Sequence, residues 1–332
     1  MATYAAFQAN KLALGREVTP GNAVAATTIW RGAFAMPDDA RNRVIVDEQV
    51  GLLVSAERSF DASLLARLAM PATELTFEQL PHILEAGVGT DATPVNNTGS
   101  YTYQYAFPTG STPNTIKTYT IEAYNAMSNA DMQEIPYCFV EEFELSGKYG
   151  EAWTMGATWV GRQLLNTTPT NLSTLVSVTE APFARTKLYI DAAGGTVGST
   201  QKTGVLTAAD MTVTTGIIIV PVGDGNLYFA THKFTKPEIT FSLTVEVESG
   251  GLVDQLRTSY KDNDTLLYRW AIDGPDANHS VVIDFAGNLD AVGNYENSDG
   301  NTTVTLEGHV VYSATDALFW ECEVTNTLAS LP

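Results

Sequence analysis

The sequence predicts a mainly β protein, of a sandwich or barrel-forming kind, with one short helix in each half. Alternating polar and apolar residues recur along the chain, most clearly at 236–248 (KPEITFSLTVEVE), where Ile239, Phe241 and Leu243 share one face. Apolar residues at helical spacing occur in only two segments. Loops rich in Gly, Asn, Thr and Pro separate the strand-like runs. This combination is typical of antiparallel sheets joined by turns.

In the first half, strand-like segments lie on both sides of a helix predicted at 74–89, ELTFEQLPHILEAGVG. Phe77, Leu80, Ile83 and Leu84 recur there at helical spacing, so they are the candidate packing face of this helix. Glycines at the end of the segment can terminate it. The strand-like segments lie near 28–36, 43–55, 101–107, 116–123, 137–146 and 151–162.

The second half has a similar order of elements. Its predicted helix is 249–261, SGGLVDQLRTSYK, with Leu252, Leu256 and Tyr260 as the candidate packing face. The stretch 216–232 predicts a hairpin, because Gly223, Asp224 and Gly225 supply turn residues between two apolar runs. The strand-like segments lie near 203–231, 236–248, 265–272, 279–286, 302–313 and 318–326.

This repeated order predicts two tandem modules. The first module covers 1–165 and the second covers 183–332. Residues 166–182 are rich in Thr, Asn and Ser and contain two prolines, so they are interpreted as a linker. The length of 332 residues agrees with two packed units, since one hydrophobic core seldom grows to that size.

The charge of the chain excludes several classes of partner. With 18 basic and 38 acidic residues, the net charge of −20 opposes any surface built to hold phosphates or anionic lipids. The longest apolar run, 216–222, is too short to span a membrane, and the amino terminus lacks the pattern of a secretion signal. Two cysteines, far apart in sequence, favour folding in a reducing cytoplasm. We therefore expect a protein without a membrane partner.

No segment carries a catalytic signature, so the sequence predicts neither an enzyme nor a metal or cofactor site. The four histidines are scattered, and none lies at ligand spacing with another histidine or a cysteine. Nucleophile-elbow and phosphate-loop motifs are absent from the sequence.

Clustered carboxylates and tryptophans leave carbohydrate recognition open as an alternative. A glycosidase would need two carboxylates facing each other across a cleft. A carbohydrate-binding β-sandwich surface protein would use tryptophans as stacking platforms, and the candidates are Trp153, Trp159, Trp270 and Trp320. Pairs such as Glu246 and Glu248 alternate along a strand, however, so a solvated sheet face explains them more simply.

Three segments between residues 11 and 163 resemble the major tail tube proteins of long-tailed (siphovirus-type) bacteriophages. The opening KLALGREVTPGNAVAATTIWRG is similar to the amino-terminal pattern of that family. ELTFEQLPHILEAGVG resembles its acidic and aromatic helix ending in glycines. CFVEEFELSGKYGEAWTMGATWVGRQ resembles a strand pair of its tube wall.

The resemblance implies a structural virion protein of the phage tail, made and assembled in the host cytoplasm. Such proteins form stacked rings of six-fold or pseudo-six-fold symmetry, whose inner sheets join into a continuous wall around the channel for DNA. The partners implied are other copies of the chain, a tape measure protein, and tail terminator and tip proteins. Genome DNA would pass without specific binding. Two modules per chain would make homotrimeric pseudo-hexameric rings, whereas one module with a decoration would require homohexameric rings.

Within that framework, the candidate lumen-facing residues are the polar positions of the clearest strands. They are Glu142, Glu144, Glu246, Glu248, Thr303, Thr305 and Glu307. Acidic side chains on this face would repel DNA and let it slide. Candidate contacts between rings are the amino-terminal segment, the loop 37–43 and the carboxyl-terminal tail from Thr325.

Overall fold

The computed structural model describes residues 5–51, 53–54, 57–89, 94–127, 132–248 and 251–332. The described chain is mainly β and is built around a large antiparallel sheet, which confirms the predicted fold class. Two α-helices and two short 3-10 turns, at Phe7–Ala9 and Phe183–Arg185, interrupt the strands of this part of the chain.

Twelve strands and one helix lie in the described part of the first half. In chain order they are β1 (Asn10–Arg16), β2 (Thr28–Ile29), β3 (Asp38–Asp39), β4 (Asn42–Ile45), β5 (Ser59–Ser63), β6 (Ala66–Glu74), α1 (Leu80–Gly87), β7 (Val95–Asn96), β8 (Tyr101–Ala106), β9 (Tyr119–Asn125), β10 (Gln133–Lys148), β11 (Thr154–Gly161) and β12 (Leu165–Asn166). Residues 167–182 contain no further strand or helix and only isolated bridges.

Among the described residues, the second half contains eleven strands and one helix. They are β13 (Thr186–Ala192), β14 (Gln201–Lys202), β15 (Leu206–Thr214), β16 (Ile217–Val220), β17 (Thr231–Phe234), β18 (Glu238–Glu246), α2 (Leu252–Asp262), β19 (Leu266–Asp273), β20 (Ser280–Val292), β21 (Glu296–Ser298), β22 (Asn301–Val310) and β23 (Trp320–Asn326). The predicted hairpin at 216–232 is present as the pair β16 and β17.

A large central sheet runs through both halves. Its order is β3, β6, β11, the carboxyl-terminal part of β10, β15, β18, β22 and the carboxyl-terminal part of β20, and every pairing is antiparallel. The pairings among the described strands form an open, branched system, because no strand at one end of the sheet pairs with a strand at the other.

Two side sheets branch from the central sheet through its long strands. The first side sheet is β2, β1, β9, the amino-terminal part of β10 and β12. The second side sheet is β14, β13, β19, the amino-terminal part of β20, β23, β8 and β7. Strand β8 of the first half thus extends a sheet of the second half.

The hydrophobic core lies between the apolar face of the central sheet and these side sheets. Tyr119 of β9 packs edge-on against Trp159 of β11, with ring centroids 5.5 Å apart. In the second half, Phe241 of β18 contacts Tyr268 of β19 at 5.0 Å. Because residues of both halves belong to one buried cluster, the core is continuous.

Helix α1 is shorter than predicted and is buried on every side. It begins at Leu80 with Pro81 in its first turn, where the missing proline N–H costs no hydrogen bond. Phe77 precedes the helix but is buried with Leu80, Ile83 and Leu84. Residue 74 belongs to β6, a strand that the pattern did not predict because Pro71 interrupts its alternation.

Helix α2 contacts the core along one face only. Leu252 and Leu256 are buried, whereas Tyr260 is 42% exposed in the single chain. Asn263 ends the helix in the left-handed conformation. The predicted first residues, 249 and 250, lie outside the described part of the chain. Among the described residues, neither helix has the length and apolar content needed to cross a bilayer.

Strand pairing in the second half repeats that of the first. In each half the first strand pairs with a strand that follows the helix, β1 with β9 and β13 with β19. β19 is the next strand after α2, whereas β7 and β8 lie between α1 and β9. That strand pairs with the start of a long strand, β10 or β20, whose end enters the central sheet beside β11 or β22. Both long strands have a bulge at this point, between Val140 and Glu142 and between Leu289 and Ala291. β11 then pairs with β6 as β22 pairs with β18.

Candidate functional site

The exposed side of the central sheet is a polar face built from strands of both halves. Directly opposite residues of paired strands share a face, so the register defines rows that cross the sheet. One row joins Glu144, Thr212, Thr240 and His309. The next row joins Thr154, Ser146, Asp210, Ser242 and Glu307. A third joins Thr158, Glu142, Thr214 and Glu238. We call the face that carries these rows the polar face.

Six of the seven candidate lumen residues lie on strands of the polar face. Glu142, Glu144 and Glu307 are exposed, and Glu246 and Thr305 are half-buried. Thr303 shares the face by register but is only 3% exposed, since it pairs with Glu246 on one side and Glu296 on the other. Glu248 is exposed but follows the end of β18. The structure therefore brings six of these residues onto one sheet, in neighbouring rows.

Strand β15 contributes polar-face residues that the sequence analysis did not single out. Asp210 lies between two serines of neighbouring strands and accepts hydrogen bonds from Ser146 Oγ and from Ser242 Oγ, the latter at 3.2 Å. Thr212 and Thr214 continue the same face. Alternation in 207–214 was the available signal, but alternation alone does not show that β15 pairs with β10.

Acidic side chains outnumber basic ones on the polar face. The acidic residues on its strands include Asp38, Glu74, Glu141, Glu142, Glu144, Asp210, Glu238, Glu246, Asp290 and Glu307. The basic residues are Arg67 and Lys148, and Arg67 Nη1 donates to Glu141 Oε2 at 2.6 Å. His309 Nδ1 lies 2.8 Å from Asp290. The face therefore carries a negative potential, with small threonine, serine, alanine and glycine side chains between the charges.

The central sheet ends in two open edges. At one end, β3 pairs with β6, and among the described residues no strand lies on its other side. At the opposite end, β22 pairs with both the end of β20 and β21, and their outer sides are likewise without a described partner. Gly293 N–H donates to Thr305 O on β22, whereas the amide of Asn294 makes no backbone hydrogen bond with the described residues. Open edges of this kind are templates for pairing with another chain.

Two hairpins project from equivalent places beside the central sheet. The first hairpin, between β3 and β6, consists of β4, β5 and the described residues that lie between them. The second hairpin is β16 and β17 with its connection, between β15 and β18. A cavity of about 530 Å³ lies between their bases, lined by residues such as Ala62, Leu65, Pro221 and Phe229.

The tryptophans that were the candidates for carbohydrate stacking are not on the surface. Trp153, Trp159, Trp270 and Trp320 are buried, and Trp30 is also buried. Two of them donate their indole N–H to a methionine sulfur at 3.2 Å, Trp159 to Met70 and Trp320 to Met211. These tryptophans hold the central sheet to the side sheets.

The carboxyl-terminal tail, expected as a contact between rings, is packed onto the first half instead. Asn326 Nδ2 donates to Phe77 O at 2.8 Å, and Arg16 Nη1 donates to Leu331 O at 3.2 Å. Both Asn326 and Leu331 are buried.

No protein-family model matches the chain, and no curated protein matches its sequence.

Proposed function

We propose that the chain is a structural protein that joins edge to edge into rings, and that these rings stack into the hollow tail tube of a long-tailed bacteriophage. The observation that carries the proposal is the repeated strand pairing. The kind of contact that would join two chains occurs once within the chain, where the first half meets the second. The pairing of β10 with β15 joins the two halves of the central sheet.

The internal joint predicts how two chains would meet. Within the chain, residues 142–148 of β10 pair with 208–214 of β15. The bulges place Glu142 in register with Ala291. One extra residue lies between Gly293 and Glu296, so the edge matching 142–148 in the second half is 291–298. Asp38 pairs with Arg67 as Thr212 pairs with Thr240, so the edge matching β15 is 34–40. Residues 34–40 of one chain would therefore pair with 291–298 of the next.

This head-to-tail contact generates either a ring or an open helix, because it joins two different surfaces. A ring of six modules closes with three chains if each half is one module. The polar face is then continuous around the ring, and placing it inward gives an acidic, hydrated channel. Such a wall repels a polyanion rather than holding it. Tape measure, terminator and tip proteins would be the partners along and at the ends of such a tube.

The test is to observe assembly and to block it at the edge. Concentrated wild-type protein, with and without preformed seeds, should show rings or hollow tubes by electron microscopy. Asn294→Pro removes an amide that makes no backbone hydrogen bond with the described residues, so it should prevent assembly while leaving the melting temperature nearly unchanged. Ser111→Pro is the matched control, because Ser111 lies in an exposed loop between β8 and β9, neither of which is an edge strand of the central sheet.

Two results would overturn the proposal. One is wild-type protein that stays monomeric at high concentration in the presence of seeds. The other is Asn294→Pro protein that assembles as readily as the Ser111→Pro control. The carbohydrate-binding alternative gains no support from the fold, since the tryptophans it requires are in the core.

A further inference from the structure

We infer that the first hairpin docks on the second half of a neighbouring copy of the chain, beside the bulge of β20. The inference rests on the proposed edge-to-edge assembly and names a second contact within it. Each contact between neighbouring chains would then consist of the docked hairpin as well as the strand pairing.

The second hairpin shows what such a contact looks like inside one chain. Phe229 of this hairpin is 3% exposed and packs between Tyr137 and Phe139 of β10, at ring-centroid distances of 5.2 and 6.1 Å. Arg162, just beyond β11, donates to Ala230 O at 2.6 Å and stacks over the Tyr137 ring at 4.4 Å. The hairpin of the second half is thus held by strands of the first half, next to the joint between β10 and β15.

The first hairpin occupies the same place in the repeated pattern. It leaves the sheet after β3 and returns in β6, as the second hairpin leaves after β15 and returns in β18. The strands that would receive it correspond to β10 and β11, and in the second half those are β20 and β22. They lie at the far end of the central sheet of the same chain. Only a second copy, joined at the open edge, brings them beside the first hairpin.

The first hairpin has the apolar surface that such a contact would bury. Five of its described large apolar residues are more than half exposed, namely Ile45 (71%), Val50 (58%), Leu53 (107%), Val54 (72%) and Phe60 (55%). An isolated two-stranded hairpin is only marginally stable in water. An exposed apolar patch of this kind commonly marks an interface.

Ion pairs hold the first hairpin in shape before any contact is made. Arg43 Nε donates to Asp61 Oδ1 at 2.7 Å and Arg41 Nη1 donates to Asp61 Oδ2 at 3.0 Å. The hydrogen bond from Arg43, and then that from Arg41, lower the pKa of Asp61 below its usual value. A hairpin with a fixed shape loses less conformational entropy on docking.

The receiving surface in the second half is polar and partly exposed. Register places Asn288 and His309 where the first half has Phe139 and Val160, two of the residues that contact the second hairpin. Asn288 is half-buried and its side chain is hydrogen-bonded to Thr265 and Asn263, just after α2. His309 is exposed, and Tyr312 near the end of β22 exposes about half of its side chain. Among the described residues, no hairpin of the same chain covers this surface.

Register also supplies a pair of positions for cross-linking. In the second hairpin, the ring of His232 lies 5.9 Å from that of Phe139. Ala66 and Ile239 hold equivalent places in the strand pairings of the two halves. Ser59 lies as far before Ala66 in the sequence as His232 lies before Ile239, so Ser59 is the counterpart of His232. Ser59 of one chain should therefore lie near Asn288 of the next.

The experiment mixes two single-substitution proteins with different tags, Ser59→Cys and Asn288→Cys, under mild oxidation. The native Cys138 and Cys322 are buried, so they should not compete. We expect a disulfide-linked heterodimer at a yield at least about tenfold above that of a control mixture of Ser59→Cys with Tyr149→Cys, because docking raises the effective thiol concentration. Tyr149 is exposed in the turn between β10 and β11.

A second variant separates this inference from the proposed function. If hairpin docking contributes a typical interface hot spot, Phe60→Asp should fold normally but assemble at least about tenfold less readily than the control Leu175→Asp. The control places the same charge at an equally exposed site. Normal tubes from Phe60→Asp together with control-level cross-linking would overturn the hairpin contact and leave the tube. The specific heterodimer in protein that forms no rings would keep the contact and overturn the tube.

Discussion

At the residue scale, a buried chain of hydrogen bonds fixes helix α1 to the first side sheet. Arg16 of β1 donates to both oxygens of Glu85, at 2.9 and 2.5 Å, and Tyr119 Oη donates to Glu85 at 2.8 Å. Since the Tyr119 hydroxyl proton is used there, His82 Nδ1 must donate to Tyr119 Oη, 3.0 Å away. The polar residues of a fully buried helix are thereby satisfied.

His82 should make the protein sensitive to acid. Burial, and then the nearby Arg16 charge, lower the pKa of His82 from 6.5 to about 3. Between these values the unfolded chain binds a proton that the folded chain does not, so the free energy of unfolding falls as the pH falls, by as much as about 1.4 kcal/mol per pH unit. His82→Leu should flatten this dependence in urea unfolding between pH 7 and pH 4.5. His309→Leu, at an exposed histidine, is the control, and parallel curves for wild type and His82→Leu would contradict the assignment.

Removing the cation of the network should cost more than removing an exposed one. Arg16→Met leaves the Glu85 carboxylate buried with Tyr119 as its main partner, so we expect a loss of about 3 kcal/mol in unfolding free energy at pH 7. Arg43→Met removes an exposed ion pair on the first hairpin and should cost less than about 1 kcal/mol. Equal losses in chemical denaturation would show that Glu85 finds solvent or another partner.

At the element scale, periodicity predicts faces and approximate positions but not extents. The alternation near 236–248 became β18, and the hairpin at 216–232 became β16 and β17. The segment near 28–36, however, contains only the two-residue strand β2, and β1, β5, β6 and β13 were not predicted. Pro71 masks the alternation of β6, whereas β1 is a short strand whose central residues are buried on both faces, so it lacks a clear period. Helix α1 shows the same limit, since its spacing revealed one apolar stripe but not that its opposite side is covered too.

The two helices should differ in what they contribute to stability. Ile83→Ala in α1 removes a fully buried side chain and should cost about 3 kcal/mol, because the cavity can collapse only partly. Tyr260→Ala in α2 removes a side chain that is 42% exposed, so we expect a cost below about 1 kcal/mol in the monomer. Urea unfolding of both variants is the measurement. A large loss for Tyr260→Ala in assembled protein only would place Tyr260 at a contact between chains.

At the scale of the whole molecule, the candidate site depends on pairings between residues far apart in sequence. The sequence predicted that Glu142, Glu144 and Glu307 lie on polar strand faces, but not that their strands belong to one sheet, because periodicity carries no information on partners. Contacts between residues far apart in sequence also connect the two halves. β8 pairs with β23, and Glu78 Oε1 lies 3.1 Å from His279 Nε2. The halves therefore repeat a pairing pattern while sharing one core.

The charge of the polar face should decide whether an assembled tube retains DNA. Glu142→Lys combined with Glu144→Lys places two cations in every copy, on strands whose backbone pairings are unchanged. We expect tubes of this variant to co-sediment with short duplex DNA at low salt roughly tenfold or more above wild type, and to release it as salt is raised, because cation–phosphate contacts release counterions. Asp262→Lys with Asp264→Lys, at the end of α2, adds the same charge outside the strands of the polar face. If that control retained DNA equally, net charge alone would explain the binding, and the polar face would lose its assignment as the channel wall.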